Sequence, residues 1–593
     1  MRKPNPLFAT DFYKIGHINQ YNALTTLIFS NFTPRSDKLF RHYVPNAPKA
    51  VLVAGVQGVI QSFVMDLWNE GFFDQPKHKV VANYKRVVEK CLGISLDTKH
   101  IEDLHDLGYL PLEIRCLPEG TLCPIQVPVY TVHNTDDRFA WLTNYFESAL
   151  SAETWKVMVN ATTAFNYRLL FERAAAETCD DSSHVDFQGH DFAFRGLSGI
   201  YDGYGSAFGH LLSFKGTDTV LAIQYAEDFY AGENTFVAGS IPASEHSVAT
   251  TNIGAIIAKL VASDPDFIKK SVDDQRYEAE KEFLKQYAVV IYPNGFASYV
   301  ADSYDYWKLL TEMTVELKEE ILAREGRLVF RPDSGDPIKV VAGYKVVSFA
   351  EAKAIIREQY TSGKVGWPAV LEDNLNDVDG IENPTQFSKG DRSVFVEHGF
   401  EIIEQDEVYY DAITGELSDL PEHEIKGSVE VLWEIFGGTV NSKGYKVLDS
   451  HVGIIYGDSI TLERATEIFA RLKAKGFASS NIVFGIGSYT YNYSTRDTFG
   501  FACKATGSII DGEEILVSKE PKTDIKKKSA KGFVAVVKDP TDGHYVLEDG
   551  LSFADIQNPR NELAVVFKDG NLERFQTIDA IRENVQEALV KYL

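Results

Sequence analysis

The stretch VGIIYGDSITLERATEIFARLKAKGFASSNIVFGIG, residues 452–487, decides the fold. Its opening VGIIYGD reads as a buried strand that closes on Gly457 and Asp458. Leu462, Ala465, Ile468, Phe469 and Leu472 then recur at helical spacing until Gly476, and NIVFGIG is the returning strand. A strand, a covering helix and a second strand make one βα unit, and such units build parallel sheets. The rhythm repeats upstream: DSYDYWKLLTEMTVELKEEILAREG reads as a helix ending near Gly326, and RLVF as the strand entering RPDSGDP.

Polar residues cluster just after each of these strands. In a parallel sheet the strand ends share one face, where loops from several units converge. The fold class expected is therefore α/β, with a barrel-like catalytic unit over residues 161–500. The segment at about 341–450 is acidic, its stretches LEDNLNDVDGIENP and DAITGELSDLPEHE suggest loops, and it reads as an insertion within that unit. Residues 1–160 and 501–593, where GFVAVVKDP and ELAVVFKDG alternate like strands, form a second, β-containing domain in this reading.

Composition narrows the class of function. The chain has 593 residues, 44% of them hydrophobic, enough for a large core and more than one structural unit. Its 85 acidic against 59 basic residues leave a formal charge of -26, which disfavours nucleic acid and anionic lipid as partners. Five scattered cysteines show neither CxxC pairs nor metal-ligand spacing and read as buried thiols of a reducing cytoplasm. No signal-peptide core and no bilayer-length apolar run is present in the sequence.

Against this acidic background, Arg195 in DFAFRG, Arg331 in RPDSGDP and Arg496 in STRD stand in turn-rich surroundings at strand ends. Guanidinium groups grip phosphate oxygens in a fixed fork, so their grouping suits a polyanionic ligand, although any one of them taken alone is more often a surface ion pair. Asp218, Asp333 and Asp458 share that context and suit ribose hydroxyls or a cationic sugar; Asp458 suits helix capping equally well. FGIGSYT offers backbone N–H groups to a phosphate but lacks a P-loop pattern. His246 follows a strand-like TFVA and opens a helix, where a lone histidine is more often structural than catalytic. The run Lys519, Lys522, Lys526, Lys527, Lys528, Lys531 reads as a solvated loop, or as a lid over phosphates.

Eight blocks in order, TDFYKIGHINQY, DFAFRG, FKGTDTV, GSIPASEHS, ASYVADSYD, RPDSGDP, IIYGDSI and FGIGSYTYNYSTRD, make the chain similar to the nicotinamide phosphoribosyltransferases of the type II phosphoribosyltransferase family, up to about Gly532. The resemblance implies an irregular α/β barrel joined to a β-rich domain, in a homodimer with shared active sites. It implies transfer of the phosphoribosyl group from phosphoribosyl pyrophosphate to nicotinamide, with Mg²⁺ on the pyrophosphate and ATP as a facultative co-substrate that phosphorylates His246. By the same resemblance Phe192 is one wall of the nicotinamide slot and the partner's Tyr13 the other. Asp218 faces the carboxamide, and Arg195, His246 and Arg331 surround the pyrophosphate or phosphate. Ser298 lies in a substrate-binding block, and Asp333, Gly457 and Asp458 lie near the ribose. Gly487, Ser488, Arg496, Lys504, Lys519 and Lys527 serve the 5'-phosphate or its channel, and Arg35 adds a contact from the partner. The metal ligands are not implied.

Two departures stand out: residue 488 is Ser where the pattern has Gly, and the acidic segment is longer than the pattern. Two alternatives stay open from the residues themselves. One is a nicotinate phosphoribosyltransferase, discriminated by Asp218, since an ionised Asp accepts an amide N–H and repels a carboxylate. The other is a non-catalytic binding protein on the same scaffold.

Overall fold

The computed structural model describes residues 4–232, 234–362, 378–457, 460–518 and 530–593. The chain forms two compact units. One comprises residues 1–173, 185–240 and 486–593, the other 174–184 and 241–485.

The first unit is built on a seven-stranded antiparallel sheet whose order is Glu513–Leu516, Ala502–Ile510, Thr25–Thr33, Tyr130–Asn134, Leu112–Cys116, Ala564–Lys568 and Asn571–Leu572. Its centre is aromatic. Phe32 pairs across the sheet with Cys503 on one side and Tyr130 on the other, and its ring stacks on Tyr130 at 4.6 Å and on Phe501 at 4.9 Å. Such pairs on adjacent strands pin register as well as bury area. The strands expected in GFVAVVKDP and ELAVVFKDG form as Phe533–Lys538 and Ala564–Lys568.

The same unit contains residues 185–240 and 486–500, which the sequence reading assigns to the barrel. Specific bonds tie the first of these segments to both ends of the chain. Gln57 donates to the Phe229 carbonyl at 2.7 Å, Tyr230 donates to Glu119 and accepts from the Gly58 N–H, and Arg582 donates to the carbonyls of Leu211 and Val237. These partners lie hundreds of positions apart in sequence, so periodicity carries no trace of them.

The second unit holds the parallel strands Ala297–Val300, Leu328–Arg331, Val452–Tyr456 and Ile482–Ile486, side by side in that order. The helix between the last two is Leu462–Ala474. It buries the five residues whose spacing announces it: Leu462, Ala465, Ile468, Phe469 and Leu472. Thr461 caps it by accepting from the Arg464 N–H, so the capping role considered for Asp458 belongs to Thr461. Gly476, at φ +76°, takes the left-handed position past the helix end, where a side chain would be strained. Asp458 itself lies outside the described residues. The α/β class expected from the sequence is thus what forms: a parallel sheet in one unit, an antiparallel β-rich sheet in the other.

The acidic segment holds more structure than its two acidic stretches suggest. DAITGELSDLPEHE runs as turns from Ala412 to Pro421, as expected, and residues 371–377 of LEDNLNDVDGIENP lie outside the described residues; around them form the strands Val346–Ser348, Ile402–Gln405 and Val408–Asp411, with helices Phe349–Ser362 and Lys389–Glu397. Val347, Ile356, Phe395 and Ile403 make a core of its own. Two of its acids serve local structure: Asp391 completes a capping box with Ser388, and Asp411 accepts from the N–H groups of Ile413 and Thr414. The cysteines also depart from expectation at one position, since Cys91 is exposed while the other four are buried. Among the described residues no helix is long and apolar enough to cross a membrane.

Glu280, on the helix Val272–Gln286, is 1% exposed, and its Oε1 has no hydrogen-bond partner among the described residues. Burial, with Asp305 and Asp302 nearby, pushes its carboxyl up to about 8. A carboxyl raised in the folded state contributes stability that is complete below its unfolded value and lost as pH rises through about 8. Glu280→Gln is therefore expected to flatten the fall in thermal midpoint between pH 5 and pH 8 and to raise the midpoint at pH 8. Melting curves of both proteins across that range check it.

Candidate active site

Each unit carries one constellation of predicted residues. In the first, the short strands Gly189–Asp191 and Gly216–Thr217 pair in parallel. Phe192 follows one and Asp218 the other, so both emerge from the same end of the pair. The Phe192 N–H is anchored on the Ile486 carbonyl at 2.9 Å, and the Asp218 N–H on the Asp191 carbonyl at 2.9 Å. The Asp191 carboxylate, 1% exposed, receives the Ala193 N–H and the Thr217 hydroxyl, which fixes the turn after Phe192. Asp218 Oδ1 is met by His190 Nε2 at 2.9 Å and by the Ser240 hydroxyl at 2.5 Å. The His190 ring also lies 4.6 Å from the ring of Phe192.

Beneath this loop sits His210, 1% exposed. Its Nε2 lies 2.9 Å from the Gly216 carbonyl, which can only accept, so Nε2 carries the proton and Nδ1 accepts from the Tyr491 hydroxyl at 2.7 Å. Burial pushes this imidazole below its usual range and keeps it neutral. It ties the Asp218 loop to the helix Ser488–Asn492, which Gly487 caps. A Cβ on Gly196 would overlap the Ser488 hydroxyl, so Ser488 has room because a glycine stands opposite it. Asn492 donates to the Gly196 carbonyl at 2.9 Å and accepts from Lys156, which also pairs with Asp202.

The remaining cations of this unit are more open. Arg195 is exposed on the turn Phe194–Gly196. Arg496 is exposed on the turn Arg496–Thr498, 3.0 Å from its neighbour Asp497. Arg35 donates through Nε to the Gly500 carbonyl, which brings it beside the Arg496 turn. Lys504 is an exposed position of the antiparallel sheet opposite Asn31. Tyr13 is 64% exposed, and its segment is locked down by Lys14, whose ammonium is buried against Glu147 at 2.7 Å. Among the described residues of one chain no ring contact joins Tyr13 to Phe192; Tyr13 lies against His17.

The second constellation stands at the ends of the parallel strands. Val300 pairs with Arg331, and Asp302 and Asp333 each follow two residues on. Asp302, with a side chain only 5% exposed, accepts the Asp333 N–H at 3.0 Å and the Ser334 hydroxyl at 2.6 Å through Oδ2. Its Oδ1 is buried and takes no hydrogen bond among the described residues. Arg331 donates to the Ser244 carbonyl at 2.7 Å and approaches Asp333 at 3.4 Å. His246 is the first residue of the helix His246–Ser263. The half-exposed imidazole has its Nε2 3.6 Å from Asp302 and 3.7 Å from Asp333, which are Coulombic approaches longer than hydrogen bonds, while its Nδ1 makes a long hydrogen bond of 3.4 Å with the Ser303 hydroxyl. The preceding TFVA is irregular instead of a strand; Ala243 instead bridges to Ser298, and so places the histidine. Ser298 is 2% exposed and its hydroxyl has no partner among the described residues. A Cβ on Gly457 would overlap Asp333 Oδ1 and come within 3.2 Å of Arg331 Cδ, so a larger residue there would displace the Asp333 carboxylate.

The structure therefore brings together Phe192 with Asp218, Arg195 with Gly487 and Ser488, Arg35 with Arg496, and His246 with Ser298, Arg331, Asp333 and Gly457. Asp458, Lys519 and Lys527 lie outside the described residues. Sequence reasoning misses His190, Ser240 and Asp302. All three stand in or beside quoted motifs, but only the fold shows that they contact Asp218 and His246. Among the described residues no three His, Cys, Asp or Glu side chains are grouped as a metal site.

The second constellation thus sets a guanidinium and an imidazole beside carboxylates at strand ends, and the first holds an acid and a half-buried ring against one histidine. The model of the nicotinate phosphoribosyltransferase (NAPRTase) family matches residues 187–363 and 411–571, more than half of the chain. The chain is 41% identical to a nicotinamide phosphoribosyltransferase of Acinetobacter baylyi, over 99% of its own length and 98% of that protein's. It is 30% identical to one of Mycoplasma pneumoniae, over 89% and 94%. The crystal structure of human nicotinic acid phosphoribosyltransferase aligns over 98% of this chain and 94% of that one, at 14% identity and a TM-score of 0.49. From the family match and the near full-length identity it follows that this chain belongs to the nicotinate phosphoribosyltransferase family.

Proposed function

We propose that the protein transfers the 5-phosphoribosyl group of phosphoribosyl pyrophosphate to nicotinamide, releasing nicotinamide mononucleotide and pyrophosphate. The observation that carries this reading is Asp218. It is a carboxylate with one oxygen held by His190 and Ser240, and the same His190 lies against the ring of Phe192. A carboxylate there accepts a carboxamide N–H and repels the anion of nicotinate. The two relatives are both named nicotinamide phosphoribosyltransferases, which supports the amide as substrate over the acid.

In the reaction the pyridine nitrogen attacks ribosyl C1 as the C1–oxygen bond breaks, and the bonding pair leaves with pyrophosphate. Positive charge develops on the sugar, and Asp333 is the carboxylate suited to face it. Arg331 and Arg195 suit the pyrophosphate; Gly487, Ser488, Arg496, Arg35 and Lys504 suit the 5'-phosphate, with Ser298 as a further polar contact. Lys519, Lys527 and Asp458 join these sets by the resemblance. A divalent cation fits as well: the buried Asp302 Oδ1 has no hydrogen-bond partner among the described residues, and Asp333 is adjacent. Mg²⁺ arriving with pyrophosphate needs only one or two carboxylates and would neutralise the leaving group. The exposure of Tyr13 on an anchored segment supports a homodimer in which it closes the partner's ring slot. The cytoplasm is the compartment this reading implies.

ATP has a place at His246. An imidazole nitrogen attacks the γ-phosphorus, the bond to the ADP oxygen breaks, and the ring proton passes to Asp302 or Asp333. The helix N-terminus behind His246 favours the added negative charge.

Two outcomes are expected. Nicotinamide mononucleotide forms from nicotinamide and phosphoribosyl pyrophosphate and forms faster with ATP, and His246→Ala abolishes the ATP-dependent gain; chromatography of the product and a phosphoimidazole signal in the phosphorus NMR spectrum check both. If no mononucleotide forms with or without ATP, the reading is wrong and the binding-protein alternative stands. Gly457→Ala pushes Asp333 aside and is expected to lower kcat/KM by about 100-fold, the scale of an ångström's misplacement in a positioned site, with little change in melting temperature.

A further inference from the structure

We infer that His190 is the positioning residue that sets base selectivity, by locking Asp218 in place while bearing on the ring of Phe192. The inference rests on the proposed function and adds to it a residue outside the sequence motifs discussed above.

Three contacts support it. His190 is 8% exposed, and its Nε2 stands 2.9 Å from Asp218 Oδ1. An ionised carboxylate has no proton to give, so Nε2–H is the donor. The Ser240 hydroxyl converges on the same Oδ1 at 2.5 Å and lies 3.5 Å from Nε2, which makes a closed triangle with the carboxylate as acceptor. The His190 ring also sits 4.6 Å from the Phe192 ring, inclined by 43°. One imidazole thus touches both elements that would read the base, its stacking surface and its amide acceptor.

That double contact matters because nicotinamide is rigid: the carboxamide lies at a fixed distance from the ring that stacks. Discrimination between amide and acid requires the carboxylate to stay at that distance, charged, while half of its side chain is open to solvent. An Asp side chain left to itself rotates about two bonds and swings toward water. His190 removes that freedom at its source. Its own place is fixed by the strand Gly189–Asp191, where it pairs with Gly216; a Cβ on Gly216 would lie 2.8 Å from Nδ1, so the ring has room only because residue 216 is glycine.

The test compares His190→Phe, which keeps a ring against Phe192 and removes the donor, with His190→Gln, which restores a donor. Initial rates with nicotinamide and with nicotinate are measured for both variants and the unmutated protein, alongside melting temperatures. The expected result is a rise in the nicotinamide KM of roughly tenfold or more for His190→Phe, on the scale of one hydrogen bond to a charged group. The change in kcat is the smaller one, and the nicotinamide-to-nicotinate ratio of kcat/KM falls. His190→Gln recovers most of that ratio. The inference is overturned if His190→Phe keeps the ratio of the unmutated protein, whether its rates are unchanged or fall equally for both bases, or if His190→Gln is no more selective than His190→Phe. Failure of the underlying function would look different, since the unmutated protein would then make no nicotinamide mononucleotide.

Discussion

Parallel strands bond in register, and residues leaving them must therefore emerge along one edge; the site of the second unit depends on that constraint. Val300 opposite Arg331, and Phe330 opposite Ile454, level the strand ends. Asp302 and Asp333 then stand side by side, close enough for the Asp302 carboxylate to take the Asp333 N–H. The hydrogen bond is charge-assisted and worth roughly 1.5–3 kcal/mol. It holds two acids at a separation that their mutual repulsion would otherwise widen. Gly457 closes the edge by leaving no side chain where Asp333 must sit.

The first unit solves a different problem with similar means. A polyanion needs several cations that can be approached, and Arg195 and Arg496 are exposed on tight turns. A flat neutral base needs few polar groups held without play. Asp191, His190 and His210 supply that rigidity by filling their hydrogen bonds inside the fold. Each is buried, and each leaves its neighbour on the loop, rather than itself, to meet a ligand.

Much of this is legible in the sequence where a physical signal is local. The helix Leu462–Ala474 shows itself because five apolar residues repeat at its period and a glycine ends it. The strand Leu328–Arg331 shows itself because apolar residues run into a turn motif. The inserted segment is only half legible: its acidic turn after Asp411 shows in the sequence, but its core joins Val347, Phe395 and Ile403 across more than fifty positions, which no local pattern reveals. The stretch before His246 is misread because its apolar run feeds single bridges, at Gly239 and Ala243, rather than a strand. His190 and Asp302 are illegible for a third reason: each acts on a residue 28 or more positions away in the chain, and the contact exists only once two strands are paired.

The central claim is that a fixed carboxylate at Asp218 selects a carboxamide. Offering the protein equimolar nicotinamide and nicotinate with limiting phosphoribosyl pyrophosphate, and separating the two mononucleotides, tests it directly. The account predicts the amide product in excess by roughly tenfold or more, the scale of one charged hydrogen bond kept or lost. Equal amounts, or an excess of the acid product, would contradict it.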